Sequence, residues 1–151
     1  MRHALALLVA CVAGWPSLAA AHGHPDAIVA GTLTTEVVAC PSLCTESDWI
    51  GRLDGTSSFS LISMEDEQIP GENVSRFHGN LTLSTARGEL VGQDLGVWNL
   101  DSGQYVDVYT VTSGTEDYAG ASGVILLWGT LDPETGQGIS RYQGVLTWRA
   151  H

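Results

Sequence analysis

The chain contains no lysine, and its six basic residues are all arginines, against 17 aspartates and glutamates. Its formal net charge is −11 at pH 7. An acidic surface repels the phosphates of nucleic acids and of anionic lipids. We therefore expect neither nucleic acids nor anionic lipids as partners, and the charge says little about small neutral ligands.

Long apolar runs are absent from everything after the N-terminal segment, so no membrane-spanning helix is expected. Residues 1–21 combine a short positive head, an apolar run over 4–13 and small residues at 19–21. This order is typical of a secretory signal peptide. We expect cleavage after Ala21 and a single domain over 22–151, exported to an extracellular or periplasmic location.

Cysteine is scarce, and Cys11 lies within the predicted signal, which leaves Cys40 and Cys44. Two cysteines in an exported chain most simply form a disulfide. A metal pair or a redox pair is the alternative. Zinc would need two further ligands, and none stand nearby in the sequence.

Helical periodicity is also missing, whereas glycine is abundant and apolar residues alternate with polar ones. This pattern predicts many short strands joined by turns. We predict strands over 28–38, 49–53, 56–64, 75–84, 89–100, 105–112, 122–131 and 139–148.

Sequential strands with short turns favour an all-β fold, a small antiparallel up-and-down barrel of about eight strands. A two-sheet β-sandwich is the alternative. The strand over 122–131 is apolar on both faces, so its outer face needs a cover. That cover would be a subunit interface, which implies a homo-oligomer, or a loop of the same chain.

One glycine-rich stretch carries a family resemblance. Residues 114–123 read G-T-x-x-Y-A-G-A-x-G, followed by W-G-T-L-D from Trp128 and Y-Q-G from Tyr142. The pattern resembles the allene oxide cyclase-like barrel superfamily, which includes plant dirigent proteins and some bacterial barrel cyclases. The match covers roughly 56–148 and departs at Glu116, where the family usually has glycine. The resemblance implies a barrel fold and a turn between late strands, and it assigns no catalytic residue here.

The predicted lumen offers the first candidate site. If Val106 and Val108 face outward, then Tyr105, Asp107 and Tyr109 point inward from one strand. A carboxylate between two phenols could polarise an enone or guide a cyclising cation. The opposite facing, with the valines inside and Asp107 on the surface, is the competing interpretation. Aromatic walls for an apolar ligand would come from four tryptophans: Trp49, Trp98, Trp128 and Trp148.

The predicted mature N-terminus offers a second candidate. Cleavage after Ala21 leaves His22-Gly23-His24. A free amine, two amides and the His24 imidazole can bind Cu(II) in a square plane, and His22 could instead pair with a distant histidine. The alternative is a terminus that carries histidines without binding metal, in which case the protein has no cofactor.

Two sequons, at Asn73 and Asn80, fit the N-glycosylation pattern and matter only in a eukaryotic host. We find no phosphate loop, nucleophile elbow or zinc signature.

Three functions therefore stand as hypotheses. The first is a secreted barrel that binds a small, largely apolar molecule, either as an isomerase or cyclase or as a dirigent-like stereochemical guide. The second is a non-catalytic extracellular module for glycans or a protein partner, and the third is copper binding by the terminus.

Overall fold

The chain folds into a closed antiparallel barrel. The computed structural model describes residues 27–67 and 69–148. Each strand pairs with the next in sequence, and the last pairs with the first, so the predicted up-and-down barrel is confirmed and the sandwich alternative is wrong. The strands are β1 (Ala27–Val38), β2 (Cys44–Gly51), β3 (Gly55–Glu67), β4 (Val74–Thr85), β5 (Gly88–Asn99), β6 (Gln104–Gly114), β7 (Ser122–Leu131) and β8 (Gln137–Thr147).

Closure is made by β1 and β8, whose register runs from Ala27 opposite Leu146 to Glu36 opposite Gln137. Closing the sheet pairs the backbone groups that an open edge would leave exposed. Within the described ranges there is no helix of the length and apolarity needed to cross a membrane.

The second strand differs most from its prediction over 49–53. It spans Cys44–Gly51, and the chain turns after Gly51, which has a φ of 133°. The strand turns small polar side chains inward, with Thr45 and Ser47 buried above Trp49. Alternation of apolar and polar residues does not reveal a strand whose inner face is itself polar, so the pattern does not predict its first half.

The barrel has two unlike ends. We call the end where β1 leads into β2 the mouth, and the opposite end the floor. The floor is filled with side chains that are packed and buried. Its members are Val29, Leu53, Leu83, Leu90, Val111, Tyr118, Ala121, Ile125, Tyr142 and Leu146.

Tyr142 stabilises the floor through two hydrogen bonds to the Leu53 backbone. Its hydroxyl accepts a hydrogen bond from the Leu53 backbone N–H at 2.9 Å and donates one to the Leu53 carbonyl at 3.3 Å. Gly31 leaves room for this ring, because a Cβ there would stand 2.6 Å from the Tyr142 hydroxyl. The floor thus joins β8, β1 and the turn before β3.

The glycine-rich segment over 114–123 does turn the chain, from β6 into β7, through a short 3₁₀ helix at Glu116–Tyr118. Glu116, where the resembling family usually has glycine, has a φ of 50°, in the left-handed region that favours glycine. Tyr118 is buried at the floor. The segment therefore forms the turn between β6 and β7 and contributes Tyr118 to the floor.

Candidate functional site

A cavity lies inside the barrel between its middle and the mouth. Its volume is about 60 Å³, which holds several water molecules or the head of a narrow ligand. The wall is largely apolar and aromatic, and a small polar patch is formed by Thr35, Thr45, Ser47 and Ser57. The main apolar contributors are Leu33, Phe59, Phe77, Leu81, Leu127 and Leu131.

The strand β6 turns its three candidate side chains into the barrel. Val106 and Val108 are exposed on the outer face, whereas Asp107 and Tyr109 are buried and Tyr105 is half-buried on the inner one. Tyr105 and Asp107 line the cavity, and Tyr109 lies below it toward the floor. The interpretation in which Asp107 points into the barrel and the valines point outward is therefore correct.

A second carboxyl group, to which the sequence pattern does not point, lies beside Asp107. Asp94 on β5 stands opposite Tyr109, and Gly96 stands opposite Asp107, so the two aspartates are diagonal neighbours on the inner face. Asp94 is 3% exposed and Asp107 5%. Both line the cavity.

Glycine makes the space for this pair. A Cβ at Gly96 would stand 2.5 Å from the Cβ of Asp107 and 2.5 Å from the Cζ of Phe77, so only glycine fits there. One strand further on, Gly79 stands opposite Asp94 and leaves room for the ring of Phe59. The carboxyl pair is thus seated among aromatic rings.

Both carboxyl groups of the pair have raised pKa values. Burial raises the pKa of Asp94 to about 6, against the lowering effect of a hydrogen bond from Asp107 and of the nearby His78. Burial, the charge of Asp94 and that same hydrogen bond raise the pKa of Asp107 well above its ordinary value. The two carboxyl groups therefore titrate as a coupled pair, which releases its protons at higher pH than free aspartates do.

Each carboxyl group keeps a free acceptor. The Oδ1 atoms of Asp94 and Asp107 are buried and have no hydrogen-bond partner within the described residues. A buried polar atom without a partner is costly and marks a place where water, an ion or a ligand group belongs. The cavity beside these atoms is where such a group would sit.

The phenol groups of Tyr105 and Tyr109 are held neutral by raised pKa values. Burial and the charge of Asp107 raise the pKa of Tyr105, and burial and the charge of Asp94 raise that of Tyr109. The Tyr105 hydroxyl lies 2.6 Å from the Ser140 hydroxyl, and the Tyr109 hydroxyl donates to the Leu90 carbonyl at 2.8 Å. Tyr105 is thus held at the cavity wall, and Tyr109 is committed to the backbone.

The four tryptophans divide between inside and outside. Trp98 is 7% exposed, lines the cavity and donates its indole N–H to the Leu131 carbonyl, and Trp49 lines the cavity from below. Trp128 is 37% exposed on the outer face, so its prediction as a lumen wall is wrong. The reason is that β7 is apolar on both faces, and its inner face carries Ile125 and Leu127 instead.

Trp148 is the second correction, since it does not reach the cavity. It follows β8 at the floor end and packs edge-on against Tyr118, with ring centroids 5.5 Å apart. The guanidinium of Arg87 lies 5.7 Å from its ring centroid. Trp148 thus covers the floor and does not line the lumen.

The disulfide prediction is confirmed, because Cys40 and Cys44 are bonded, with their Cα atoms 6.0 Å apart. The loop between them lies at the mouth, where Leu43 lines the cavity and its carbonyl accepts the Leu61 N–H at 2.9 Å. The bridge therefore closes a loop that borders the cavity entrance.

The other candidates lie away from the cavity. Asn73 is exposed in the loop before β4, and Asn80 is exposed on the outer face of β4. His22 and His24, like the predicted signal over 1–21, lie outside the described residues. Over 27–67 and 69–148 no group of three or more His, Cys, Asp or Glu side chains is placed to hold a metal ion.

Chemically, the cavity joins an apolar wall to two buried carboxyl groups whose pKa values are raised. An ionised carboxylate can accept a proton or face a cation, and a protonated one can donate. Comparison of the chain with protein-family models, with curated proteins and with solved structures finds no match.

Proposed function

We propose that this protein is a secreted barrel that takes a small, largely apolar molecule into its lumen and presents the carboxyl pair of Asp94 and Asp107 to it. The cavity beside the unpartnered Oδ1 atoms is the observation that carries the proposal. Apolar pockets with a few convergent polar groups and shifted pKa values are where ligands bind most often.

The reaction proposed for this site is a proton shift, as in an isomerase or a cyclase. Ionised Asp94 would take a proton from one atom of the ligand, and protonated Asp107 would give one to another. The proton gained by Asp94 would then return to Asp107 through the hydrogen bond between them, so that charge and protons balance over the cycle. The resemblance to the allene oxide cyclase-like barrels supports this class. A dirigent-like guide, which holds a ligand without transforming it, would use the same wall.

We also propose that the protein is exported and that copies of the chain form a homo-oligomer. The predicted signal over 1–21 and the disulfide both favour an extracellular or periplasmic location. Exposed apolar side chains cover the outer faces of β6 and β7, which favours a subunit interface between copies of this chain. They are Val106, Val108, Val124, Leu126 and Trp128.

Lumen binding is tested by filling the cavity. Thr35 is buried on the inner face of β1, and Thr34 is exposed on its outer face. We expect Thr35→Phe to abolish the NMR shift changes that 1-butanol causes at Leu127 and Leu33, because the new ring occupies the cavity. The matched variant Thr34→Phe should bind as the wild type does.

Shift changes that survive in Thr35→Phe, or that map to the outer face, would contradict binding in the lumen. Circular dichroism of both variants checks that the strand content is unchanged.

A further inference from the structure

Over 27–67 and 69–148 the cavity is lined by acidic side chains and by no basic ones. Two carboxyl groups, Asp94 and Asp107, line it, and none of its lining residues in the described part of the chain is an arginine or a histidine. The chain has no lysine at all. A buried charge is normally paired, and none of the described residues that line the cavity supplies the cation that would balance the pair.

The wall around the pair has the composition of a site for organic cations. Trp98, Tyr105, Phe77 and Phe59 all line the same cavity as the carboxyl groups. Aromatic faces attract an ammonium ion through the ring quadrupole, most strongly where the ion is removed from water. The net charge of −11 also raises the local concentration of cations around the protein.

We propose that the lumen binds a small primary alkylammonium ion, with the ammonium group between the free Oδ1 atoms of Asp94 and Asp107 and the apolar chain directed toward the mouth. This rests on the proposed lumen binding and names the chemical class of the ligand. An ammonium group supplies three donors, which serve both unpartnered acceptors and leave one for a water molecule.

Binding depends on pH through the pair. The titratable groups that face the carboxyl pair are the phenols of Tyr105 and Tyr109 on β6, which stay neutral. His78, on the outer face of β4, lowers the pKa of Asp94 through its charge. Burial raises the pKa of Asp94 to about 6, so the negative charge that attracts the ligand disappears as the pH falls through that value. Affinity should fall about tenfold between pH 7 and pH 5.

The experiment is calorimetric titration of the full mature chain with butylammonium chloride and, as the neutral analogue of the same length, 1-butanol. We expect butylammonium to bind at least tenfold more tightly than butanol at pH 7, because only the cation is paired by charge-assisted hydrogen bonds. Asp94→Asn should weaken butylammonium binding by about tenfold or more and leave butanol binding unchanged. Asp48→Asn, at an exposed position on the outer face of β2, is the matched control and should change neither.

The outcomes separate the two proposals. Equal affinity for the alcohol and the ammonium ion, both lost in Thr35→Phe, would overturn the cation proposal and keep lumen binding. Failure of the wild type to bind either probe would overturn both. Unchanged butylammonium affinity in Asp94→Asn would also overturn the cation proposal, as would displacement of butylammonium by calcium chloride at matched ionic strength, since the pair would then be a metal site.

Discussion

At pH 8, Asp94→Asn is expected to raise the free energy of unfolding by about 3 kcal/mol. The folded protein holds the Asp94 carboxyl in a buried site that raises its pKa from 3.8 to about 6. Keeping that group ionised at pH 8 therefore costs about 1.4 kcal/mol for each unit of the shift. Asparagine has nearly the same shape, stays neutral and can still accept the hydrogen bond from Asp107.

The sign of the pH dependence follows from the same shift. Between about pH 4 and pH 6 the folded state keeps a proton on Asp94 that the unfolded state has released. The contribution of this group to stability is therefore full below pH 4, is lost as the pH rises through about 6, and changes no further above that. Asp107, whose pKa is raised well above its ordinary value, extends the loss to higher pH.

Urea denaturation of wild type and Asp94→Asn at pH 4.5 and pH 8 measures this effect. The free energy of unfolding of the variant should exceed that of the wild type at pH 8 and approach it at pH 4.5. The exposed control Asp48→Asn should stay within about 0.5 kcal/mol of the wild type at both. A variant less stable than the wild type at pH 8 would mean that the Asp94 charge is paired in the folded protein, contrary to the unpartnered Oδ1 atom and the raised pKa described above.

Tyr142→Ala is expected to lower the free energy of unfolding by about 4 kcal/mol, because it removes a large, 1% exposed side chain from the floor. The ring packs against Trp49 with centroids 4.6 Å apart, so its loss also opens the cavity downward. Tyr142→Phe separates packing from hydrogen bonding. It keeps the ring and should cost only about 1–2 kcal/mol, since the buried Leu53 N–H and carbonyl lose their side-chain partner.

Equilibrium unfolding in urea distinguishes these contributions, with Gln143→Ala at the exposed neighbouring position as the control. A loss below about 1 kcal/mol in Tyr142→Ala would show that the floor is not packed around this ring. Equal losses in the alanine and phenylalanine variants would assign the whole effect to the hydroxyl.

The strand pattern can be predicted from the sequence, because apolar and polar residues alternate between glycine turns. The inward facing of Asp107 is one of two interpretations that the sequence allows, since valine and tyrosine both occupy buried positions. The structure decides it through the outer exposure of Val106 and Val108. The register of the β1–β8 pairing depends on contacts remote in sequence, which a local pattern cannot specify.

The burial of Asp94 is not predicted from the sequence, because polar residues in a strand are normally assigned to the face that contacts solvent. Its signal lies in the inner face of β5, where Gly92, Asp94, Gly96 and Trp98 alternate with outward residues. Glycines on both sides of a carboxylate leave space for large rings on neighbouring strands, and that space is what buries the carboxylate. The prediction for Trp128 is wrong for the opposite reason, since β7 has no polar face to orient it.

The pH titration of the side-chain carboxyl carbons of Asp94 and Asp107, followed by ¹³C NMR, most directly tests the claim that the lumen holds a coupled carboxyl pair with raised pKa values. We predict that the Asp94 resonance changes near pH 6 and that the Asp107 resonance changes well above the ordinary aspartate range. Two independent titrations near the ordinary value of 3.8 would contradict the claim and remove the basis for both proposals.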